Sequence, residues 1–233
     1  MSASTSYPRT DVTVDLVVFG LDWVPGVLKV LLIKRAQESQ PFCGSWALPG
    51  GFIGVDETLE ESANRTLVRE TGLTLSYLEQ LYTFGDPGRD PRGRVLSVAY
   101  LGLVRPEAVV ISVDHPATSD AQWMAIGDVP ALAFDHQRLI AAALDRLRTK
   151  VAWQPIGVDL LPEEFTLSDL QRVYEIVLGR SLDKRNFRRK IMGFDVLVPL
   201  DVYRQDGHRP AQLYRFDRDR YAALVAGGVD FGL

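Results

Sequence analysis

The segment from Gly50 to Leu73, GGFIGVDETLEESANRTLVRETGL, constrains this chain more than any other. Two glycines allow a turn and a close backbone approach, and a charged stretch of helical length follows them. An apolar residue recurs at every fourth position, which predicts a helix with one buried stripe. That stripe consists of Leu59, Ala63 and Leu67. We expect the helix to run from about Glu57 to Thr71 and to end at Gly72, because glycine suits the C′ position.

The same segment resembles the Nudix box, whose pattern is Gly, five residues, Glu, seven residues and then Arg-Glu-apolar-x-Glu-Glu-x-Gly-apolar. The positions that match are Gly51, Glu57, Arg65, Leu67, Glu70, Gly72 and Leu73. Thr66 and Arg69 stand where the family has glutamates. Helical spacing places positions 66, 69 and 70 on one face, and in Nudix enzymes these carboxylates hold magnesium, a cation that prefers oxygen ligands. Only Glu70 remains here, and Arg69 puts a cation where the metal would sit.

This resemblance implies a nucleotide-pyrophosphate pocket that has kept its shape and lost its catalyst. It implies no catalytic residue, no cofactor and no metal site beyond weak magnesium binding. The remnants of the box are Glu70, Glu57 and Arg65, of which the last two pair in the family to brace the loop against the helix. Two alternatives stay open: an active hydrolase of ADP-ribose or NAD with ligands recruited elsewhere, and a solvated amphipathic helix with no ligand.

The surrounding sequence predicts an α/β (α+β) Nudix fold over residues 1–150, with a mixed sheet between helices. DVTVDLVVFGL alternates and predicts a strand, VLKVLLIKR predicts a second strand, and the turn DWVPG between them predicts a β-hairpin. VLSVAYLGLV is almost entirely apolar, which predicts a strand buried on both faces. A further helix is expected from about His136.

Several residues are candidates for contacts with a nucleotide ligand. WALPGGF is similar to the segment just upstream of the box in the Nudix family, and TFGDPGRDPRGRVLSVAY and the FDH at 134–136 are similar to segments of ADP-ribose-handling Nudix proteins. The candidates are Arg35, Trp46, Gly50, Gly51, Arg69, Glu70, Phe84, Arg89, Arg92 and His136. Simpler explanations compete with this one: Arg35 as an exposed strand end, Trp46 as a core residue, a solvated arginine loop, and Asp135 as a helix N-cap.

Residues 151–233 are long enough for a second, smaller domain. Thr166 is a natural N-cap with Asp169 three residues on, and Gly179 ends the helix that follows. A short turn leads to a second helix, LDKRNFRRKIMG, which suggests a helix-turn-helix. FDVLVPLDVYR and AQLYRF predict a two-stranded wing, so the whole segment reads as a winged helix.

The second helix and the wing carry the candidate contacts to nucleic acid. KRNFRRK holds five cations in seven residues, a composition suited to the major groove and to phosphates. The candidates are Lys184, Arg185, Asn186, Arg188, Arg189, His208 and Arg209. A solvated basic helix and an RNA-binding Nudix protein are the alternatives.

Taken together, the chain resembles the Nudix-related transcriptional regulators of NrtR type over nearly its entire length. The family implies a homodimer that represses genes of NAD biosynthesis or salvage, or in some branches of sugar use. It implies release of operator DNA when an ADP-ribose-like metabolite fills the Nudix pocket. We expect the connector Val151–Phe165 to be the place where the two domains reorient. The single cysteine, Cys43, and the lack of a membrane-length apolar run favour a cytoplasmic location. The net charge of −4 argues against polyanion binding by the chain as a whole, although residues 150–233 carry a net charge of +1.

Overall fold

The computed structural model describes residues 9–36, 41–105, 111, 113, 115–205 and 210–227. Its first part is a seven-stranded mixed sheet with helices packed on it. The strands are β1 (Asp11–Asp22), β2 (Val27–Arg35), β3 (Trp46–Ala47), β4 (Gly50–Phe52), β5 (Tyr77–Phe84), β6 (Val95–Leu103) and β7 (Thr118–Ala125), and the helices are α1 (Leu59–Thr71) and α2 (His136–Trp153). This confirms the predicted Nudix architecture.

Strand β1 is the centre of the sheet. It pairs antiparallel with β2 and β4 and parallel with β6, and the path through the sheet is β3-β2-β1-β6-β5. The predicted hairpin is present, with Asp22 opposite Val27 at its end. Strand β6 is buried along almost its whole length, as its apolar run predicted.

Alternation along β1 sends side chains to two separate cores. Val14, Leu16 and Val18 face α1, where they pack in a cluster with Leu67. The intervening residues Val17, Phe19 and Leu21 face the side that α2 covers. Asp15 belongs to that second side, and its position places a carboxylate beside the N-terminus of α2.

Helix α1 begins two residues later than predicted. Thr58 is its N-cap, and a capping box joins Thr58 to Glu61, which leaves Glu57 outside the helix. At the other end Gly72 adopts a left-handed conformation with φ 71°, as expected for a glycine cap. An N-cap side chain accepts a hydrogen bond from a free backbone N–H of the first helical turn, and the spacing of apolar residues does not show where that cap lies.

The second part of the chain is the predicted winged helix. Its elements are β8 (Glu164–Thr166), α3 (Leu167–Leu178), α4 (Lys184–Gly193), β9 (Leu197–Arg204), β10 (Ala211–Phe216) and α5 (Arg218–Ala226). The sheet has the order β8-β10-β9. Thr166 and Asp169 form the expected capping box, and Gly179 ends α3 with φ 66°. No helix in the described part of the chain combines the length and the apolar composition that a membrane crossing requires.

The segment between the two parts is packed rather than loose. Helix α2 runs through residue 150, where the sequence places the boundary, and a 3₁₀ turn, Ile156–Leu160, follows it. Val151, Leu160 and Phe165 are buried in one apolar cluster that includes residues of β1, α2, α3 and α4. The segment in which we expect the two domains to reorient is therefore part of a continuous core.

Candidate ligand site and basic helix

A cavity of about 300 Å³ lies among β1, β2, β4, α1 and the start of α2. Predicted candidates that line it are Arg35, Gly50, Gly51, Arg69, Glu70, Arg89, Arg92 and His136. They come from segments distant in sequence, which the sheet brings together. The cavity is large enough for part of a nucleotide and is lined by four arginines.

Two predicted ligand residues do not line this cavity. Phe84 is buried in the apolar core and meets the ring of Tyr82 edge-on. Trp46 packs against the same core, with the Lys34 ammonium 5.9 Å from its ring centre. Packing against the apolar core accounts for both side chains, and their contact with a ligand stays a prediction.

The glycine pair is explained partly by protein packing. A Cβ on Gly50 would lie 2.1 Å from Oδ1 of Asp15 and 2.9 Å from the Val14 carbonyl oxygen. Gly51 is less crowded, with Nη2 of Arg69 3.5 Å from the corresponding position. Gly50 is thus required by the close approach of β4 to β1, in addition to any approach of a ligand.

The expected brace between Glu57 and Arg65 is present. Arg65 donates from Nε and Nη2 to the Glu57 carboxylate at 2.7 and 2.6 Å, and Gly54 N–H donates to the same carboxylate. These hydrogen bonds, that from Arg65 first, lower the pKa of Glu57 to about 2. Because this carboxylate already accepts hydrogen bonds from Arg65 and Gly54, it holds the loop against α1 and is not available as a metal ligand.

Glu70 lies at the floor of the cavity and is almost fully buried. Burial raises its pKa to about 7, although the hydrogen bond from Gly50 N–H and the charge of Arg69 oppose the shift. The Arg69 guanidinium is 3.9 Å from Oε1 of Glu70. Within the described residues, no group of three or more His, Cys, Asp and Glu side chains could hold a metal ion.

A buried ionic cluster joins β1, the loop before β6 and the start of α2. Arg89 donates to Asp135 at 2.7 Å and lies 3.5 Å from Asp15. His136 accepts the Leu48 N–H at Nδ1, and its Nε2 faces Asp15 at 3.7 Å. Burial lowers the pKa of His136, so the imidazole is neutral near pH 7. Arg89 is therefore already neutralised by two carboxylates.

Asp135 is at the N-cap position of α2 but makes no side-chain capping hydrogen bond. Its carboxylate binds Arg89 instead, in two hydrogen bonds of 3.2 and 2.7 Å. The alternative interpretation of Asp135 as an ordinary N-cap is thus wrong, because its side chain accepts no hydrogen bond from the first turn of α2.

One wall of the cavity is aromatic and is formed by Phe134, which is not among the predicted ligand residues. Phe134 lines the cavity and has φ 55°. The Arg35 and Arg92 guanidinium carbons lie 5.1 and 5.6 Å from its ring centre, within the range of cation–π contacts. Arg92 also pairs with Asp90 at 2.6 Å. Burial acts to raise the pKa of Asp90, but hydrogen bonds from Arg92 outweigh it and leave that pKa below its ordinary value.

The predicted recognition helix, α4, presents most of its candidate residues to solvent. Lys184, Arg185, Asn186 and Arg189 are exposed, and Arg189 donates to the Asn186 side-chain oxygen at 2.7 Å. Arg188 differs from these four residues in its exposure. It is half-buried and donates to Ser168 Oγ at 3.2 Å, because it lies on the side of α4 that meets α3. His208 and Arg209 lie outside the described residues.

Apolar contacts fix α4 against α3. Phe187 and Ile191 are buried, and the Phe187 ring meets Tyr174 edge-on with 5.2 Å between ring centres. Asp183 caps the helix by accepting the Asn186 N–H at 2.7 Å. The basic face is therefore held by packing on its opposite side, which is the arrangement a groove-binding helix needs.

The fold and the cavity together define a Nudix domain with a depleted set of metal ligands, joined to a winged helix. Two family models match: the NUDIX domain over residues 11–143 and the NrtR DNA-binding winged helix domain over residues 157–216. The chain is 38% identical over 221 residues to the ADPR-responsive transcriptional repressor NtrR of Acinetobacter baylyi, covering 93% of this chain and 86% of that protein.

Solved structures give the same result. The chain resembles Shewanella oneidensis NrtR complexed with a 27mer DNA, with TM-score 0.80 and 37% identity, over 91% of this chain and 95% of that one. It also resembles the NUDIX domain of that protein complexed with ADP ribose, with TM-score 0.56 and 37% identity, over 63% of this chain and 94% of that one. The chain belongs to the NrtR-type family of Nudix-related transcriptional regulators.

Proposed function

We propose that this protein is a transcriptional repressor that binds operator DNA through α4 and the wing and releases it when ADP-ribose fills the Nudix cavity. The observation that carries the proposal is that one chain joins an arginine-lined cavity to an exposed basic helix. The similar proteins indicate which ligand and which nucleic acid to expect, ADP-ribose and DNA.

The chemistry of the cavity suits the diphosphate of ADP-ribose. Arginine binds phosphate oxygens through charge-assisted hydrogen bonds, often in pairs. Four arginines line the cavity, and Phe134 offers an aromatic surface beside two of them. A ligand with a diphosphate and a flat base matches this combination of positive charge and aromatic surface.

Repressor activity needs coupling between the two sites. ADP-ribose weakens DNA binding only if it prefers the conformation that binds DNA poorly, and DNA must weaken ADP-ribose binding by the same factor. Arg172 of α3 donates to the carbonyl oxygen of Trp23 at 2.8 Å, so the hairpin of the Nudix sheet contacts the helix that supports α4. This contact is a physical route for the coupling.

The test is a titration of DNA binding with ADP-ribose. Genomic footprinting of the purified protein identifies the operator, and fluorescence anisotropy then measures its dissociation constant with and without ligand. We expect ADP-ribose to raise that constant by about 5- to 150-fold, the usual range of allosteric coupling. Calorimetric binding of ADP-ribose with no effect on DNA affinity would leave the Nudix domain as a scaffold only.

Two finer parts of the proposal concern the target genes and the assembly. We expect the footprinted promoters to control NAD biosynthesis or salvage, as the family resemblance implies. One helix offers few base contacts, so a homodimer on a near-palindrome is expected, with half-sites about 10 bp or a multiple apart. Light scattering of the complex at micromolar concentration measures the assembly, and a monomer on an asymmetric site contradicts it.

We also propose that hydrolysis is absent or very slow and that the protein needs no cofactor. Thr66 and Arg69 replace two carboxylates of the box, and Arg65 and Gly54 occupy that of Glu57. We expect incubation with ADP-ribose and magnesium to release little AMP, and the double change Thr66→Glu with Arg69→Glu to raise the rate. Rapid AMP release by the unaltered protein, lost in Glu70→Gln, is the outcome that contradicts this.

That outcome defines the second candidate function, a Nudix hydrolase. The observation in its favour is that Glu70 and the Glu57–Arg65 brace are intact. A relative of the first part of the chain is an ADP-ribose pyrophosphatase of Methanocaldococcus jannaschii, 38% identical over 112 residues, which cover 48% of this chain and 63% of that protein.

A further inference from the structure

We infer that Arg69 takes the place of the divalent metal in this cavity and that the protein binds the diphosphate of its ligand without magnesium. The inference rests on the proposed function, because it concerns the same cavity and the same ligand. It goes beyond that function by naming the residue that neutralises the phosphates. It also predicts that ADP-ribose binds without a metal, whether or not the protein can hydrolyse it.

The carboxylates near the cavity do not form a magnesium site. Magnesium requires about six oxygen ligands in octahedral geometry. Glu57 is occupied by Arg65 and Gly54, and Asp15 is occupied by Ser97 Oγ and Arg89. Only the Glu70 carboxylate is left among the box residues, and it already accepts the Gly50 N–H at 3.3 Å. The residues present therefore do not fit the metal that the Nudix fold family implies.

The position next to Glu70 is already occupied by a cation. Nη2 of Arg69 lies 3.9 Å from Oε1 of Glu70 and 3.5 Å from the position that a Cβ on Gly51 would take. A dication bound by Glu70 would meet a positive charge at contact distance, and the repulsion opposes its binding. Arg69 excludes the metal and supplies positive charge in the same region.

Arg69 is also the cavity arginine best able to accept a new partner. Arg89 is committed to Asp15 and Asp135, and Arg92 to Asp90. Arg35 donates to the Pro41 carbonyl oxygen at 3.1 Å. Among the described residues Arg69 donates no hydrogen bond, and its ion pair with Glu70 is at the outer limit of contact. Its side chain is 41% exposed at the cavity wall, so an incoming phosphate can reach the guanidinium.

The chemistry of guanidinium matches this role. Arginine stays charged at all physiological pH values and presents parallel N–H donors that fit two phosphate oxygens. A metal would bridge phosphate oxygens and also activate water, whereas a guanidinium neutralises them without supplying a nucleophile. The substitution thus retains binding of an intact diphosphate and removes the means to cleave it, which suits a sensor.

The test is calorimetry of ADP-ribose with the full-length protein, in EDTA and in magnesium. For the unaltered protein we expect dissociation constants that agree within about twofold in the two buffers. For Arg69→Glu we expect affinity in EDTA to fall by about tenfold or more, the scale of a lost charged hydrogen bond. Magnesium should restore part of it, because residues 69 and 70 then supply two carboxylates.

Two further variants make the result specific. Arg69→Gln removes the charge without reversing it, so it should lose affinity in EDTA and gain nothing from magnesium. Asn64→Glu is the control, since Asn64 is exposed on the same helix and does not line the cavity, and its affinity should be unchanged. Thermal unfolding of each variant checks that the fold is retained.

Each outcome decides one question. Binding by the unaltered protein that requires magnesium, or that survives Arg69→Glu in EDTA, overturns the role of Arg69 and leaves the sensor function intact. No binding of ADP-ribose under either condition overturns the proposed function and this inference with it.

Discussion

Replacing Phe187 with alanine should separate DNA binding from ligand binding. Phe187 is 5% exposed and anchors α4 through its edge-on contact with Tyr174 and through burial in the shared core. Truncation of a buried phenylalanine to alanine costs about 3–5 kcal/mol, a large share of the about 5–15 kcal/mol that stabilises a typical domain. The loss acts on the packing that orients the basic face of α4, and the Nudix cavity keeps its own contacts.

Urea unfolding followed by circular dichroism measures the loss of stability, while anisotropy and calorimetry measure DNA and ADP-ribose binding. Met192→Ala is the matched control on the same helix, because Met192 is 43% exposed and should change stability by no more than about 0.5 kcal/mol. A loss below about 1 kcal/mol for Phe187→Ala would falsify the packing argument. An equal fall in affinity for DNA and for ADP-ribose would refute the separation of the two sites.

Arg172→Ala should leave the affinity of the free protein for DNA nearly unchanged, because the contacts it removes are with the hairpin turn at Trp23 and Pro25. The same change should reduce the free energy of coupling between the ADP-ribose and DNA sites by about 0.5–2 kcal/mol. Titration of DNA binding with ADP-ribose measures this coupling. An unchanged ratio of the DNA dissociation constants with and without ADP-ribose would exclude this contact as the route of coupling. Folding raises the pKa of Glu70 from 4.5 to about 7. The free energy of unfolding therefore includes a contribution of about 3 kcal/mol from Glu70 that is complete below pH 4.5 and is lost as the pH rises through 7. Glu70→Gln should remove that pH dependence from urea midpoints, and a variant that still follows the unaltered curve contradicts the assignment. Lys184→Ala with Arg185→Ala should weaken DNA binding about equally for all sequences and flatten its salt dependence, because both side chains are exposed and suited to phosphate contacts; a change confined to the specific site would instead assign them to base edges.

Local patterns are sufficient to predict most of the elements. Alternation predicts β1 and the hairpin, the apolar run predicts β6, and the caps at Thr166 and Gly179 bound α3, because each depends on neighbours in sequence. The start of α1 is misplaced by two residues because the apolar stripe alone defines it poorly. The capping box at Thr58 is present in the sequence as T-x-x-E and marks the correct start.

The site is predictable only in part. The box motif locates Arg69 and Glu70, but the ionic cluster of Asp15, Arg89 and Asp135 joins residues far apart in the chain, so no local pattern reveals it. A single clue exists for Asp15, an acid inside the otherwise apolar centre of β1. Composition likewise does not show that Arg188 faces α3, since the rotation of a helix about its axis is set by packing.

The buried connector determines how a ligand signal can reach the DNA-binding helix. Because Val151, Leu160 and Phe165 lie in a core common to both parts, reorientation at this segment must bring apolar surface into water. Exposure of apolar surface raises heat capacity by about 0.45 cal/K/mol for each Å². Ligand binding that drives such a rearrangement has a less negative heat-capacity change than binding to the Nudix domain alone, and so the response of this regulator to its ligand varies with temperature.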